Sequence, residues 1–281
     1  MNNGSPERLL ESNYLAVSSS FRMFKQTITD KIDTHWHDFF EMGCIVSGTG
    51  RHIVNGQTFR LQPGMVFLLT TADFHEMIPD EGQTIELFDF IFNDSLLRPA
   101  IYESIFGHAG LFMHTFDSGH AQKMESEFAL LWNELQHWQF GSEIIVQGSF
   151  ERIVVDLVRQ IGLNKPSYPN DSKEPMHPSI RKALLYIQHH FRESISLACA
   201  ADYAGLSANY LSECFHKQVG ISFQEYLNER RLQFASALVR SSDLPITEVC
   251  FAAGFNTIPH FIRTFKRKFG CSPREYRKQG S

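Results

Sequence analysis

Two stretches of this chain carry the same punctuation, AGLSANYLSECFHKQVG from Ala204 to Gly220 and AGFNTIPHFIRTFKRKFG from Ala253 to Gly270, with their turn glycines 49 residues apart. In the second, Val249, Ala252 and Ala253 give a short helix an apolar face, and Gly254 supplies the positive φ that ends it. Phe261, Phe265 and Phe269 then recur every fourth residue, so one stripe packs inward and Arg263, Lys266, Arg267 and Lys268 stay outside. Pro259 stands near the helix start, where a missing N–H costs little. Gly270 closes the unit, and Ser272-Pro273-Arg274-Glu275 opens a further helix with a capping box. The first copy is followed in the same way by Ser222-Phe223-Gln224-Glu225, which starts a long helix to about Val239. A duplicated helix, glycine turn and helix on one rigid connector predicts an all-α domain with two helix-turn-helix motifs joined by a long helix.

Upstream, a helix is expected from Ser179 to about Phe191, and Ser196 caps another that ends at Gly205. The segment 163–178, LNKPSYPNDSKEPMHP, has four prolines and no periodicity, and reads as a linker between domains 1–162 and 179–281. Charge divides there too. From Pro175 onward 14 Lys+Arg stand against 8 Asp+Glu, and the preceding residues hold 12 against 23. The overall net charge of -5 therefore conceals a basic module suited to a polyanion. No apolar run reaches bilayer length and no secretory signal pattern opens the chain, so no membrane partner and a cytoplasmic location are expected. Five scattered cysteines lack metal-ligand spacing and argue against a disulfide framework.

Residues 1 to about 20 read as a mobile arm or a frayed terminus. From Phe21 to about Phe92 the segments FRMFKQTI, FFEMGCIVSG, GRHIVNG, QTFRL, GMVFLLTT and TIELFDFIF, broken by Gly-rich turns, predict antiparallel strands in a small barrel or sandwich. Helical periodicity returns at 94–106, 122–139 and 142–161, and the broad apolar faces of the last two need a partner, either the strands or a second subunit. No phosphate-binding glycine loop or Ser-His-Asp spacing is present, so neither an enzyme nor a cofactor is implied.

His35 and His37 share one strand face, Glu41 has the same parity, and His75 follows Pro63-Gly64. These four residues fit the lining of an effector pocket, a divalent metal site, or ordinary hydrogen-bonded packing. The pattern His35-x-His37-x3-Glu41, then Pro63-Gly64 and His75, resembles the cupin barrel, although the loop is short and no cupin asparagine motif follows. That resemblance implies an α+β two-domain chain opening on a cupin-like β-barrel with accessory helices.

The region 179–277 resembles the AraC/XylS family of bacterial transcription regulators, through Gly205-Leu206-Ser207, Tyr210-Leu211, Phe215, Gly220, Phe223, Arg230-Arg231-Leu232, Gly254-Phe255, Phe261-x-Arg263-x-Phe265-Lys266, Gly270, Pro273 and Tyr276-Arg277. Thr257-Ile258-Pro259-His260 departs from the usual family residues. In a helix-turn-helix the second helix enters the major groove with its early residues at the bases. Ser207, Ala208, Asn209, Ser212, Glu213 and His216 in the first copy, and Asn256, Thr257, Ile258, His260, Arg263 and Thr264 in the second, are the expected base-facing sets. Asn209 suits adenine, Glu213 cytosine and Arg263 guanine. Lys217, Lys266, Arg267, Lys268 and Arg274 are expected at phosphates.

The resemblance implies a double-stranded DNA-binding regulator, an activator with RNA polymerase as partner. A homodimer is expected, as is a small polar effector of the carbohydrate or related metabolite class. The two heads would read groove segments spaced about 34 Å apart. The rival reading is a metal-dependent cupin enzyme, or a metal sensor, joined to the same DNA-binding module.

Overall fold

The computed structural model describes residues 7–15, 19–98, 101, 105, 111–161 and 177–279. It divides into two compact units, Glu7–Tyr168 and Pro169–Ser281. Of the expected linker, only 177 and 178 are among the described residues.

The first unit contains β1 (Glu7–Leu9), β2 (Phe21–Ile28), β3 (Ile32–His37), β4 (Phe40–Ser47), β5 (Gly50–Val54), β6 (Gln57–Leu61), β7 (Met65–Leu69), β8 (Phe74–Pro79), β9 (Ile85–Phe92) and β10 (Phe112–Thr115). They form two five-stranded sheets, in the orders β1-β3-β8-β5-β6 and β10-β7-β4-β9-β2. The expected cupin-like barrel is therefore corrected: neither sheet closes on itself. The strand ends of each order explain why. β6 turns exposed Gln57, Thr58 and Arg60 to solvent, and β1 and β10 are three and four residues long. Short or polar edge strands resist further pairing, whereas a barrel needs its first and last strands to bond.

The inner faces of the sheets meet in a core of Ile28, Ile45, Val54, Leu61, Met65, Phe67, Leu69, Met77, Ile85 and Leu87. Gly43 belongs to this packing, because a Cβ there would lie 2.2 Å from Cζ of Phe67. The outer face of the second sheet is covered by α2 (Ser118–Gln136) and α3 (Ser142–Gln160). Phe128 stacks on Phe88 at 6.2 Å, and Phe150 meets Phe92 edge-on at 4.8 Å. The broad apolar faces read from the sequence thus find one partner within the chain. Arg152–Glu127 (2.7 Å) and Lys123–Asp156 (2.5 Å) tie the two helices together. α1 is the single turn Glu11–Tyr14, which follows β1, and β1 runs parallel to β3. Of the helix expected over 94–106, a 3-10 turn at Asp94–Leu96 is seen, and most of the remainder lies outside the described residues.

The second unit is helical: α4 (Pro178–His190), α5 (Leu197–Ala204), α6 (Ala208–Val219), α7 (Phe223–Ser241), α8 (Ile246–Ala252), α9 (Ile258–Phe269) and α10 (Pro273–Gln279). The duplication is visible in the backbone. Leu206 N donates to Ala201 O at 2.9 Å, and Phe255 N to Cys250 O at 3.1 Å. Gly205 and Gly254 take φ of 70° and 82°, and Gly220 and Gly270 take 86° and 78°. Both capping boxes form: Glu225 bonds back to Ser222 N at 2.9 Å, and Glu275 to Ser272 N at 2.7 Å. Phe261 and Phe265 are fully buried, and Phe265 packs on Tyr276 at 5.3 Å. Among the described residues no helix is long and apolar enough to cross a membrane. Cys44 and Cys250 are buried, and burial pushes their thiols up to about 12 and about 11; Cys199 is exposed, and Cys214 and Cys271 are half-buried.

Candidate functional site

Two sets of side chains carry chemistry, one on each unit. In the helical unit, α6 begins where Ser207 accepts a hydrogen bond from Tyr210 N, and it buries Leu211 and Phe215. That leaves Ser207, Asn209, Ser212, Glu213, His216 and Lys217 exposed, with Ala208 half-buried. In α9 the buried stripe is Phe261, Thr264 and Phe265. Asn256, Thr257, Arg263, Lys266, Arg267 and Lys268 are exposed, Ile258 and His260 are half-buried, and Arg274 is exposed at the start of α10.

Thr264 turns inward. It is 3% exposed and its hydroxyl donates to His260 O at 2.7 Å. The side chains that occupy the outer face beside Arg263 are Pro259 and Ile262, which the sequence reading did not select. Lys268 is engaged by Glu229 of α7. Counted from their closing glycines, Ser212, Glu213, His216 and Lys217 of α6 correspond to Ile262, Arg263, Lys266 and Arg267 of α9.

In the first unit the histidines and Glu41 face each other across the two sheets. His35 and His75 are direct neighbours on β3 and β8, with ring centroids 4.2 Å apart. Glu41 reaches them from β4 in the opposite sheet. Its Oε2 lies 3.3 Å from Nε2 of His37 and 3.5 Å from Nε2 of His75. His37 donates from Nδ1 to Phe39 O at 2.6 Å and stacks on the Phe39 ring at 4.6 Å. His35 donates from Nδ1 to Asp33 O at 2.9 Å.

A fifth member, His52 of β5, was not selected from the sequence. It is fully buried, and its Nε2 lies 2.9 Å from Nδ1 of His75. A proton on Nε2 of His75, directed at Glu41, makes Nδ1 an acceptor, and His52 then donates from its Nε2. Among the described residues, the remaining nitrogen, Nδ1 of His52, has no hydrogen-bond partner.

Charge in this cluster is set by burial and by the neighbouring rings. Burial alone would raise the Glu41 carboxyl, but His75 and His37 outweigh it and hold it well below the usual carboxylate range. Burial, reinforced by His75, lowers His35 to about 4 and drives His52 well below the ordinary imidazole range. Asp89 on β9 moves the other way. Burial and then the Glu41 charge raise it well above the usual value, against a hydrogen bond from Gln26. The two buried carboxyls of this core, Glu41 and Asp89, are thus pushed in opposite directions. His35, Glu41 and His75 also present one donor atom each within 4.8 Å of one another, a donor set that suits a divalent transition metal.

Residues 19–149 match a family model described as an AraC-like ligand binding domain, and residues 200–279 one described as a helix-turn-helix domain. The HTH-type transcriptional activator RhaS of Escherichia fergusonii is 27% identical over 253 residues, with 87% of each chain covered. Among solved structures, the C-terminal domain of AraT, a response regulator from Geobacillus stearothermophilus, is 34% identical at a TM-score of 0.36, over 38% of this chain and 88% of that one. ToxT from Vibrio cholerae is 15% identical at a TM-score of 0.40, over 93% of this chain and 98% of that one. The two family matches run in that order along most of the chain, an AraC-like ligand binding domain followed by a helix-turn-helix domain, the organisation of a DNA-binding transcription regulator rather than an enzyme.

Proposed function

We propose that this regulator is an activator controlled by a small polar effector, a sugar or related metabolite, bound at the histidine cluster of the first unit. It works on DNA in the cytoplasm with RNA polymerase as its partner. The helical unit applies α6 and α9 to two successive major-groove segments. Asn209, Ser212 and Glu213 on one helix, and Ile258, Ile262 and Arg263 on the other, meet base edges. Lys217, Lys266, Arg267 and Arg274 meet phosphates, whereas Lys268 is already paired and Thr264 is inside the fold.

The observation that carries the effector reading is the cluster itself: His35, His37, Glu41, His52 and His75, drawn from four strands in two sheets into a largely apolar core. Buried polar groups of this kind destabilise a core that leucines would stabilise, so their presence favours recognition over packing. Imidazole nitrogens can donate or accept, and a carboxylate accepts, which suits hydroxyl groups. The test is thermal shift of the full chain against a panel of neutral sugars and polyols, repeated with Glu41→Gln and His75→Gln. A stabilising ligand whose effect both substitutions abolish supports the reading. No stabilising member, or one indifferent to both substitutions, sinks it.

The donor set of His35, Glu41 and His75 favours a second reading, a metal-responsive regulator. Elemental analysis of protein purified without chelator decides it: about one equivalent of a transition metal, lost in His75→Gln, supports metal sensing, and substoichiometric metal removes it.

A further inference from the structure

The two heads share α7, which closes the first and opens the second, so their relative setting depends on what grips that helix from either side. α4 belongs to the first head, where Tyr186 stacks on Tyr203 of α5 at 5.0 Å. Its C-terminal end is held from two directions. Arg231 of α7 is 7% exposed and donates from Nε to Phe191 O at 2.6 Å and from Nη2 to Glu193 O at 2.8 Å. Its guanidinium also lies 5.9 Å from the Phe255 ring, in the turn of the second head. Burial lowers the guanidinium to about 10, which leaves it charged at neutral pH. A fork of charged donors across carbonyls at a helix C-terminus is a favourable match of geometry and dipole.

The second grip is steric. A Cβ on Gly254 would sit 2.7 Å from both Cα and O of Arg192 and 2.8 Å from Phe191 O, so the turn of the second head lies directly on the end of the first head's helix. Among the described residues, nothing lies within 4 Å of where a Cβ on the equivalent Gly205 would sit. Arg277 of α10 makes a comparable fork, from Nε to Val239 O at 3.0 Å and from Nη2 to Leu244 O at 2.6 Å, which ties α10 to the end of α7 and the segment that leads into α8. One clamp therefore works between heads and one works inside a head.

We infer that Arg231 and Gly254 are positioning residues that latch the second reading head to the end of α4 and so fix the phase between α6 and α9. This rests on the reading that both helices contact DNA. A latched pair delivers the second head at a high effective concentration once the first has bound, but only on DNA that matches its phase. A loosened pair loses that gain and tolerates more spacings.

The test uses full-length protein and a duplex enriched by the wild type from a random 30-base-pair pool, together with its two halves as separate duplexes and versions carrying one or two extra base pairs between them. Arg231→Lys keeps the charge and removes the fork; Arg277→Lys is the control for loosening within a head. The latch predicts that Arg231→Lys binds each half within about twofold of wild type, binds the whole site about tenfold or more weakly, and loses part of the penalty for an added base pair. Arg277→Lys should weaken the second half and the whole site alike. Gly254→Ala should follow Arg231→Lys where circular dichroism shows it folded. Equal losses on the halves and the whole site for Arg231→Lys, or no loss on either, overturn the latch. A wild type that enriches only a one-part site overturns the two-head reading and the latch with it.

Discussion

The two helix-turn-helix halves have the same backbone and different obligations. Ser207 caps α6 with its side chain, whereas Thr257 stands at the start of α9 without a side-chain cap bond and leaves that end to Pro259 in the first turn. Gly205 turns into open space, and Gly254 turns against the backbone of Phe191 and Arg192. The outer face of α6 is polar and nearly neutral, while that of α9 is basic and partly apolar, with Arg263, Lys266 and Arg267 beside Ile262. A duplicated module can thus keep its hydrogen-bonding plan while one copy specialises in contact with its sibling and the other stays free.

That contrast breaks first at the glycines. Gly254→Ala must accept a left-handed φ and a backbone clash, and should lose more than about 3 kcal/mol, against about 1 kcal/mol for Gly205→Ala. Urea unfolding of the full chain followed by far-UV circular dichroism measures both, and equal losses would show the two turns to be interchangeable. Next come the equivalent positions Glu213 and Arg263. Alanine at either should relax base preference at one position of its own half-site, by about 1–3 kcal/mol, when sites are reselected. Relaxation in the same half for both would merge the two heads into one.

A smaller effect sits at the caps. Ser207→Ala should cost about 1 kcal/mol, and Thr257→Ala only a few tenths, in the same unfolding experiment. The smallest belongs to the lysines. Lys266→Ala should lower the slope of log affinity against log salt by about one, and Lys268→Ala by clearly less, because Glu229 already holds that ammonium. Equal slopes for the two would mean that the Glu229 pair opens on DNA.

The helical half was largely legible because its signals are local. Serine caps, αL glycines and a four-residue phenylalanine repeat announce helices from within a few residues of their ends, and α4 to α10 lie where those signals placed them. The register of the outer face was harder. The turn glycines are 49 residues apart but the closing glycines Gly220 and Gly270 are 50 apart, so one residue is added between turn and helix in the second copy. Counted from the closing glycines, Ile262 corresponds to the exposed Ser212 and Thr264 to the half-buried Cys214, a register that the expected base-facing set did not follow.

The sheets were legible as strands and not as an architecture. Which strand bonds to which depends on partners far along the chain, as β4 pairs with β9 and β3 with β8, and hydrophobic alternation does not record that choice. His52 was missed for the same reason. Nothing near it in sequence refers to His35 or His37, and only the pairing of β5 with β8 sets it diagonally across from His75. Closure into a barrel was inferred from a histidine pattern, which constrains where side chains meet and says little about whether the outermost strands do.

The length of α7 also bears on how such a gene can change. With one helix serving as the end of one head and the beginning of the other, a codon inserted near its middle would rotate one head against the other by about 100°. Seven inserted codons would return them to within about 20° of the original facing, at the cost of about 10 Å of extra reach. On the two-head reading, substitutions can drift on the exposed face of this helix, while insertions and deletions are filtered by the pitch of the DNA.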